Sequence, residues 1–385
     1  MSAPRVLVVG CSAGHGHVMA ARAVAAALRE RHPAFDVTEI DALEKMARWY
    51  GQGYRRAYLA MADRAPFVWR AFYAATDAMD SPVGHFVTRW AGRALLDACR
   101  RWRPDVVLAT HFMAPEVLGK AVRQGRLAAS LHLVVTDHDI HRMWYWPAVQ
   151  QYYVASELVK ARLVLRYGVP PERIAVTGIP VRRAFRDPID LPSVRARVGL
   201  DPARPVVLFI SGGFAPGPIR QSIVGIWKER RDVQVLAVCG RNERLRRAVA
   251  AVPRPSGAYL QALGFVDRPW EMLAAADLVV TKAGGMTTAE CLVLGKPMII
   301  SAAIPGQEDR NTDFLLEAGA AVRAPTTEEI RWRVARLLEE PEALAAMARA
   351  AKAVARPDAA DVVADVAAQG LAEPVWFGPR FHGAR

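Results

Sequence analysis

Short apolar runs alternate with longer amphipathic stretches along almost the whole chain. Residues 5–10, 35–41, 104–110, 131–136 and 206–211 have the length and composition of strands, most of them apolar enough to be buried on both faces of a parallel sheet. The stretches between these runs repeat apolar residues every three to four positions, which predicts helices. Strands that alternate with helices in this way predict an α/β chain with parallel sheets.

This alternation is interrupted at residues 187–205, which contain Pro188, Pro192, Pro202 and Pro205. Because proline is unfavourable inside helices and central strands, we predict an interdomain linker here. We therefore expect one doubly wound, Rossmann-like domain over residues 1–186 and a second over 206–356. Residues 357–385 are predicted to form a last helix and a tail that packs back on the first domain.

The most informative stretch is 281–311, TKAGGMTTAECLVLGKPMIISAAIPGQEDRN, which reads as two successive strand–loop–helix units. Gly284 and Gly285 precede a helix expected to begin near Thr287. Glycines allow a ligand close to the backbone, and free amides at a helix start attract phosphate. Thr287 and Thr288 are candidates to cap this helix or to donate hydroxyls to the same anion. The alternative is that the glycine pair only makes a tight turn.

Further polar residues nearby suggest what else this pocket binds. Glu290 lies one turn into the helix, where its carboxylate is suited to ribose hydroxyls. Gln307, Glu308 and Asn311 come from the second loop, ahead of a helix expected from about Asp309, and are suited to the hydroxyls of a hexose. Diphosphate, ribose and hexose sites side by side indicate a nucleotide-sugar pocket.

Two other segments of the second half are predicted to face the same ligand. Gly212 and Gly213 form a glycine-rich loop after the first strand of the second domain. Phe265 belongs to a short predicted strand, 263–266, whose backbone is placed to pair with a nucleobase edge. We count Gly212, Gly213 and Phe265 among the candidate residues that bind the nucleotide-sugar, the sugar donor of the pocket.

The loop after the first strand carries histidines where a dinucleotide-binding loop has glycines, in the run Gly14-His15-Gly16-His17. A histidine at a helix N-terminus tends to have a lowered pKa, because the helix dipole disfavours its charged form. A neutral imidazole accepts a proton, so His17 is the candidate general base. The alternative is that His15 or His17 only hydrogen-bonds the turn.

The end of the 131–136 strand leads into Asp137-His138-Asp139, followed by His141 and Trp144. Trp144, with Trp146 and Pro147, is predicted to wall the mouth of the cleft, and His141 and Trp144 are counted among the candidate acceptor residues. The two aspartates also fit a metal-binding pair. We expect no essential metal, since a helix N-terminus already serves the phosphates.

Residues 46–76 combine aromatic and basic side chains, and a helix is predicted to begin at Pro66. Aromatics and arginines on an amphipathic segment are typical of a membrane interface. The alternatives are a core helix with surface arginines and a stacking surface for single-stranded nucleic acid. No known nucleic-acid module is visible. The candidate acceptor and membrane residues here are Tyr54, Arg55, Arg56, Trp69, Arg70, Phe72 and Tyr73.

Composition narrows the class of protein. The formal net charge of +13 requires an anionic partner, namely nucleic acid, an anionic membrane or a nucleotide. Residues 45–103 hold eleven Lys/Arg against four Asp/Glu, which favours a membrane contact there. The four cysteines are scattered, without zinc or disulfide spacing, and no apolar run has the length of a membrane span. With no secretory signal visible, we expect a cytoplasmic protein on the inner face of the cell membrane.

Many short motifs match one family in order along the chain, from Val6 to about Val322. They are Gly16-His17, 104–111, 135–137 with His141, Trp144 and Pro147, 154–160, 176–180, 212–214, Gly264-Phe265, 281–290 and 305–311. The chain thereby resembles monogalactosyldiacylglycerol synthases and processive diacylglycerol glucosyltransferases. It is more distantly similar to the N-acetylglucosaminyltransferase that makes lipid II. Ala283, Ser211 and Ala215-Pro216 depart from the family pattern, which affects the phosphate contacts and the identity of the donor.

The resemblance implies a GT-B fold, two Rossmann-like domains with the active site between them. It implies metal-independent transfer, with inversion, of a hexose from a UDP-sugar to diacylglycerol at the cytosolic membrane face. His17 matches the family's base, Glu290 its ribose-binding carboxylate, and Gln307 with Glu308 its sugar-binding pair.

Other functions fit the same motifs. A similar scaffold serves transferases with a polyprenyl or soluble acceptor, and UDP-sugar 2-epimerases. A peripheral membrane-binding protein with an inactive transferase site is the alternative that is not an enzyme.

Overall fold

Two parallel six-stranded sheets make up the protein, and helices cover both faces of each sheet. The computed structural model describes residues 3–54, 66–78, 81–210, 219–302 and 306–372. The strands of the first sheet are β1 (Arg5–Gly10), β2 (Asp36–Asp41), β3 (Val106–Ala109), β4 (Ser130–Val134), β5 (Gln151–Val154) and β6 (Ile174–Val176). Those of the second are β7 (Val206–Ile210), β8 (Gln234–Val238), β9 (Tyr259–Leu263), β10 (Leu278–Lys282), β11 (Met298–Ala302) and β12 (Ala321–Arg323).

Helices connect the strands in both halves of the chain. In the first half they are α1 (His15–Arg31), α2 (Pro66–Ala78), α3 (Pro82–Ala91), α4 (Arg93–Trp102), α5 (Met113–Arg123), α6 (Glu157–Tyr167) and α7 (Leu191–Val198). In the second they are α8 (Ile219–Glu229), α9 (Glu243–Ala250), α10 (Pro269–Ala275), α11 (Gly285–Leu294), α12 (Gln307–Glu317), α13 (Thr327–Glu339), α14 (Pro341–Val354) and α15 (Ala359–Ala372). Residues 48–54 are also helical.

The apolar runs form strands because each can bury alternate side chains on opposite faces of a sheet. In β1, Leu7 and Val9 join the core on one face of the first sheet. Val6 and Val8 join the separate core on the other face. The predicted α/β class, with parallel sheets covered on both faces, is confirmed.

Strand order places the two functional loops at equivalent positions. The first sheet runs β2-β1-β3-β4-β5-β6 and the second β12-β11-β10-β7-β8-β9, so the order reverses beside β1 and beside β7. Ligands of open α/β sheets bind beyond the strand ends at such reversals. The loop after β1 leads into His17 in the first turn of α1, where a loop was predicted, and the loop after β10, next to β7, leads into Gly285.

Two connecting segments complete the architecture. Residues 187–205, predicted as a linker, contain helix α7, whose start Asp190 caps by accepting a hydrogen bond from the Ser193 amide. The linker therefore includes regular structure where only a proline-rich connection was expected. Helix α15, although last in the chain, packs against α1 of the first sheet, where Asp365 forms an ion pair with Arg31.

Candidate active site

His17 lies in the first turn of α1, with its ring held by two neighbouring strand ends. Its Nδ1 lies 3.0 Å from the Thr110 carbonyl oxygen and 2.9 Å from the Thr136 hydroxyl. Because a carbonyl only accepts hydrogen bonds, Nδ1 carries the proton in the neutral ring. Burial lowers the pKa of His17 to about 4, so the ring is neutral at physiological pH. Nε2 is then left with a lone pair that can accept a proton.

Aromatic side chains surround this imidazole. The ring of His111 lies 4.6 Å from that of His17, and the ring of Trp144 lies 6.0 Å from it. His111 and Trp144 are both buried, and burial lowers the pKa of His111 well below its usual value. The surroundings of His17 therefore hold no positive charge on histidine, and they limit the access of water to the ring.

Helix α11 of the second domain begins opposite His17, and the glycine at its start allows the two domains to touch. A Cβ atom added to Gly285 would lie 2.0 Å from the backbone oxygen of Thr136. A Cβ added to Gly16 would lie 2.9 Å from Cγ of Met286. No side chain fits at Gly285 without separating the domains. Thr136 thus contacts both His17 and the start of α11.

The two threonines of α11 do not cap it, so that prediction is wrong. The helix begins at Gly285, with Gly284 in extended conformation as its N-cap. The Thr288 hydroxyl donates back to the carbonyl oxygens of Gly284 and Gly285, at 3.1 and 3.0 Å. A hydroxyl engaged inside the helix is not directed at a phosphate. Thr287 is partly exposed, and its contact with phosphate stays a prediction.

The three residues predicted to bind the sugar do lie together, on the first turns of α12. The Gln307 side-chain amide donates to Asp137 Oδ2 at 2.8 Å, and that of Asn311 donates to Asp137 Oδ1 at 3.1 Å. Asn311 also accepts from the His138 amide at 2.7 Å. Glu308 is buried and forms an ion pair with Lys282. Asp137 of the first domain therefore occupies hydrogen-bonding groups that a sugar would use.

The aspartates considered as a metal-binding pair have other partners. Asp137 is buried, and this raises its pKa to about 6 against the lowering effect of its bonds to Asn311 and Gln307. Asp139 pairs with Arg162 of its own domain and lies 3.7 Å from Arg310 of α12. Across the described ranges, no group of three or more His, Cys, Asp or Glu is arranged to hold a metal ion.

Glu290 faces a positively charged region that sequence reasoning missed. Burial raises the pKa of Glu290 to about 8, although the nearby Arg182 acts in the opposite direction. Arg182 lies over the Trp270 ring at 4.7 Å, and its buried Nε has no hydrogen-bond partner among the described residues. Arg241, Arg22 and Arg182 also lower the pKa of His15, after burial. These arginines come from both domains, so only the folded chain brings them together.

Phe265 lies at the edge of this positive region. The predicted strand at 263–266 is wrong, because β9 ends at Leu263 and Phe265 follows in the loop. Its half-exposed ring contacts His15 edge-on at 5.9 Å and lies 5.5 Å from the Arg241 guanidinium. Phe265 therefore faces the cleft with its side chain, as a candidate platform for a planar base. Gly212 and Gly213 lie outside the described residues.

The candidate acceptor residues separate into two groups. Trp69, 6% exposed, points inward, and the Tyr73 ring lies 4.2 Å from that of His141. His141 accepts from the Met143 amide at Nδ1 and donates from Nε2 to the Tyr73 carbonyl oxygen at 2.9 Å. Its role in this structure is to brace α2 against the cleft. Phe72 and Arg70 are exposed, and Tyr54 is half-buried. Arg55 and Arg56 lie outside the described residues.

Helix α3 adds an exposed surface that the sequence did not reveal. Val83, Phe86 and Trp90 project at three-to-four spacing and are each about half exposed or more. Together with three other exposed side chains they form a surface that we name the apolar face. Its members are Trp49, Val68, Phe72, Val83, Phe86 and Trp90. Trp49 joins the set, since its ring lies 5.8 Å from that of Trp90. Exposed apolar patches of this kind mark sites of protein or membrane contact.

Among the helices of the described ranges, none has the length and apolarity of a membrane span.

Two models of known protein families match separate parts of the chain. Residues 17–181 match the model of monogalactosyldiacylglycerol (MGDG) synthase, and residues 220–363 match the glycosyltransferase family 28 C-terminal domain. A processive diacylglycerol beta-glucosyltransferase of Bacillus licheniformis is 27% identical over 361 residues, 93% of each chain.

Two solved structures share the fold at low identity. MurG of Acinetobacter baumannii superposes with a TM-score of 0.62 at 16% identity, covering 95% of this chain and 99% of MurG. The S. aureus MnaA–UDP structure superposes with a TM-score of 0.66 at 12% identity, covering 97% of this chain and all of MnaA. The fold is therefore GT-B, with two Rossmann-like domains and a cleft between them, as predicted.

Fold and family models together define a glycosyltransferase. The matches to the monogalactosyldiacylglycerol synthase model and to the processive diacylglycerol glucosyltransferases confirm the resemblance found in the sequence.

Proposed function

We propose that this protein transfers a hexose from a UDP-sugar to the free hydroxyl of diacylglycerol, with inversion at the anomeric carbon. One observation carries the proposal: Thr136 contacts both the His17 ring and the start of α11, so a base and an anion site face each other across one cleft. The names of the family model and the Bacillus relatives support a lipid acceptor.

The reaction follows from the two sides of this contact. Nε2 of His17 takes the proton from the acceptor hydroxyl as its oxygen bonds to the anomeric carbon. The bond from that carbon to the diphosphate oxygen breaks, and UDP leaves with the electron pair. Attack from the side opposite the leaving group inverts the anomeric centre.

A base with a pKa near 4 is weak until the donor arrives. The diphosphate brings negative charge into the cleft, which raises the pKa of a nearby imidazole toward physiological pH. The same binding places charge beside the α11 N-terminus and the Arg182 guanidinium, which stabilise the departing UDP. We propose that these groups serve the phosphates without an essential metal, so activity should persist in excess EDTA.

The donor contacts in this proposal follow the predicted roles. Glu290 accepts hydrogen bonds from the ribose, and Phe265 stacks on the base. Gln307, Glu308 and Asn311 bind the hexose once Asp137 has released Gln307 and Asn311, which requires a small opening of the cleft. The exchange of one set of hydrogen bonds for another keeps the net cost low.

The membrane contact is proposed to form at the apolar face of α2, α3 and the helical residues 48–54. Its aromatic side chains suit the interfacial region of a bilayer, and the excess of Lys/Arg at 45–103 suits an anionic leaflet. We therefore propose a peripheral enzyme on the inner face of the cell membrane.

The test is a product assay with matched donors and acceptors. UDP-glucose, UDP-galactose and UDP-N-acetylglucosamine are each incubated with diacylglycerol vesicles, with a soluble diol, or with no acceptor, and products are identified by mass spectrometry. A hexosyl-diacylglycerol that requires the vesicles is expected. A glycosylated diol alone, or an epimerised UDP-sugar formed without acceptor, would contradict the proposal.

A further inference from the structure

A cavity of about 910 Å³, partly open to the surface, lies in the first domain, apart from the donor cleft. It is bounded by α2, α3, α5 and residues 142–148, and its volume is that of typical small-molecule sites, roughly 300–1,000 Å³. Aromatic rings form much of its wall, contributed by Tyr50, Tyr54, Trp69, Phe72, Phe112 and Trp146.

Several polar groups in this wall already have hydrogen-bond partners. The Tyr50 hydroxyl lies 2.8 Å from that of Thr88, and His85 Nδ1 lies 2.9 Å from Glu116 Oε1. The Trp146 indole donates to the Met143 carbonyl oxygen at 2.7 Å. An apolar ligand would therefore leave these three pairs intact, without the cost of stripping them of their partners.

The position of the cavity connects two features of the proposed function. At its inner end is Phe112, whose ring lies 4.1 Å from that of His111, which in turn lies 4.6 Å from His17. At its outer side, Phe72 belongs both to the cavity wall and to the exposed apolar face. The cavity thus lies between the surface suited to lipid and the candidate base.

We propose that this cavity binds one hydrocarbon chain of the lipid acceptor, withdrawn from the bilayer. The inference rests on the proposed function and adds where the acceptor is held. The chain occupies the space between α2 and α5, so the glycerol hydroxyl at its head is directed past Phe112 toward His17. Sheltering the chain in the protein offsets the loss of its contacts with the membrane.

The proposal predicts a dependence on chain length. For acceptors that reach the enzyme as monomers in water, each methylene that enters the cavity should improve affinity about fourfold, until the cavity is filled. Diacylglycerols with very short chains should therefore show a raised KM, with kcat changed less.

The test compares two neighbouring residues of α2. Thr76 lines the cavity, whereas Ala75 is exposed and does not. Thr76→Phe reduces the space for a chain, and Ala75→Phe adds the same ring on the outer surface. Ala148→Leu, from the opposite wall, is a second filling variant in case Thr76→Phe fails to fold in a thermal scan.

Binding is measured with cis-parinaric acid, an 18-carbon probe that accepts energy from the wall residues Trp69 and Trp146. Saturable energy transfer is expected in the wild type, at least tenfold weaker binding in the filling variants, and a change under twofold in Ala75→Phe. Equal binding by the filling and control variants, or no saturable transfer at all, would overturn the proposal.

Competition identifies the source of the chain. Dioleoylglycerol should displace the probe, whereas displacement by geranylgeraniol but not by dioleoylglycerol would overturn the assignment to diacylglycerol. In the transfer assay, Thr76→Phe should raise KM for dioleoylglycerol but not for dihexanoylglycerol. If the probe binds as expected but no sugar reaches any diacylglycerol, the hydrocarbon site stands and the proposed function alone fails.

Discussion

The two sides of the cleft share one architecture but present opposite chemistry. On the donor side, α11 and α12 begin with backbone amides, a buried Lys282–Glu308 ion pair and the Glu290 carboxyl. On the acceptor side, a neutral imidazole is surrounded by aromatic rings and backed by an apolar cavity. A parallel sheet therefore fixes where a ligand binds, and the side chains at its edge decide which ligand.

The comparison also shows how the two sides depend on each other. Asp137 reaches from the acceptor domain to Gln307 and Asn311, and Thr136 packs on Gly285. Catalysis across such a contact needs both domains within a fraction of an ångström of their productive positions. Changes at the contact should therefore affect activity more than changes on either side alone.

The largest effect is expected from Gly285→Ala. Its new Cβ would lie 2.0 Å from the Thr136 backbone oxygen, so the domains must separate and transfer should fall about 10⁴-fold. Gly225→Ala is the matched control, because its Cβ would meet Arg331 Cδ at an ordinary 3.4 Å. Turnover and small-angle scattering measure the effect. More than a tenth of wild-type activity in Gly285→Ala would refute the need for this contact.

Removal of the base should come next. His17→Gln is expected to lower kcat about 10³-fold while leaving the Kd for UDP unchanged, since the ring acts on the acceptor proton. His15→Gln, in the same first turn of α1, should lower kcat less than tenfold. Steady-state kinetics and calorimetric UDP titration separate the two effects. Equal losses in both variants would mean that the structure of this helix turn, and not one imidazole, determines activity.

These predictions depend on features that differ in how far sequence revealed them. The strands, the helix after Gly285 and the grouping of Gln307, Glu308 and Asn311 follow from local periodicity and glycine placement, which neighbouring residues determine. Helices α11 and α12 begin two residues earlier than predicted, at Gly285 and Gln307. In each case the N-cap position is a glycine, which has no capping side chain to mark the start in the sequence. Thr288 was assigned to phosphate, although its hydroxyl bonds within its own helix.

Tertiary contacts explain what the sequence did not show. Arg182 and Arg22 are 160 positions apart in the sequence, yet both lower the pKa of His15. The cavity wall combines side chains from several separate segments between Tyr50 and Ala148, and no local pattern encodes an empty space. Trp69 and Phe72 share a helix face by spacing, but Trp69 is buried and Phe72 is exposed, and spacing alone does not distinguish them.

A moderate effect is expected at the apolar face. Trp90→Ser removes a ring that is 48% exposed on α3 and should weaken binding to anionic vesicles roughly tenfold. Trp332→Ser removes a ring that is 55% exposed on α13 of the second domain, and should leave vesicle binding unchanged. Vesicle co-sedimentation measures both. Equal losses would show that any exposed tryptophan contributes and that no one face docks.

Charge should add a smaller contribution to the same binding. Reversal at Arg55, Arg56 or Arg70 to Glu is expected to weaken binding about fivefold or more for each residue at low salt, since each basic residue contributes about 1 kcal/mol near an anionic surface. The difference should shrink in high salt. Vesicle binding that ignores both salt and lipid charge would refute an electrostatic contribution from this segment.

The smallest expected effect concerns pH and stability. Burial holds the pKa of Glu290 near 8, above its unfolded value of 4.5, so the folded protein retains a proton that the unfolded chain releases. This stabilisation is complete below pH 4.5 and is lost as pH rises to 8. Relative to Glu290→Gln, the wild-type Tm should therefore fall by roughly 5 °C between pH 5 and 8. A constant Tm difference across this range would contradict the shifted pKa.

The central claim, direct transfer across the Thr136 contact from UDP to a lipid hydroxyl, is tested most directly by the anomeric configuration of the product. The glycolipid formed from an α-linked UDP-hexose and diacylglycerol is isolated, and its anomeric proton coupling is measured by NMR. The account predicts a β-linked hexosyl-diacylglycerol. An α-linked product, or release of UDP without any glycolipid, would contradict it.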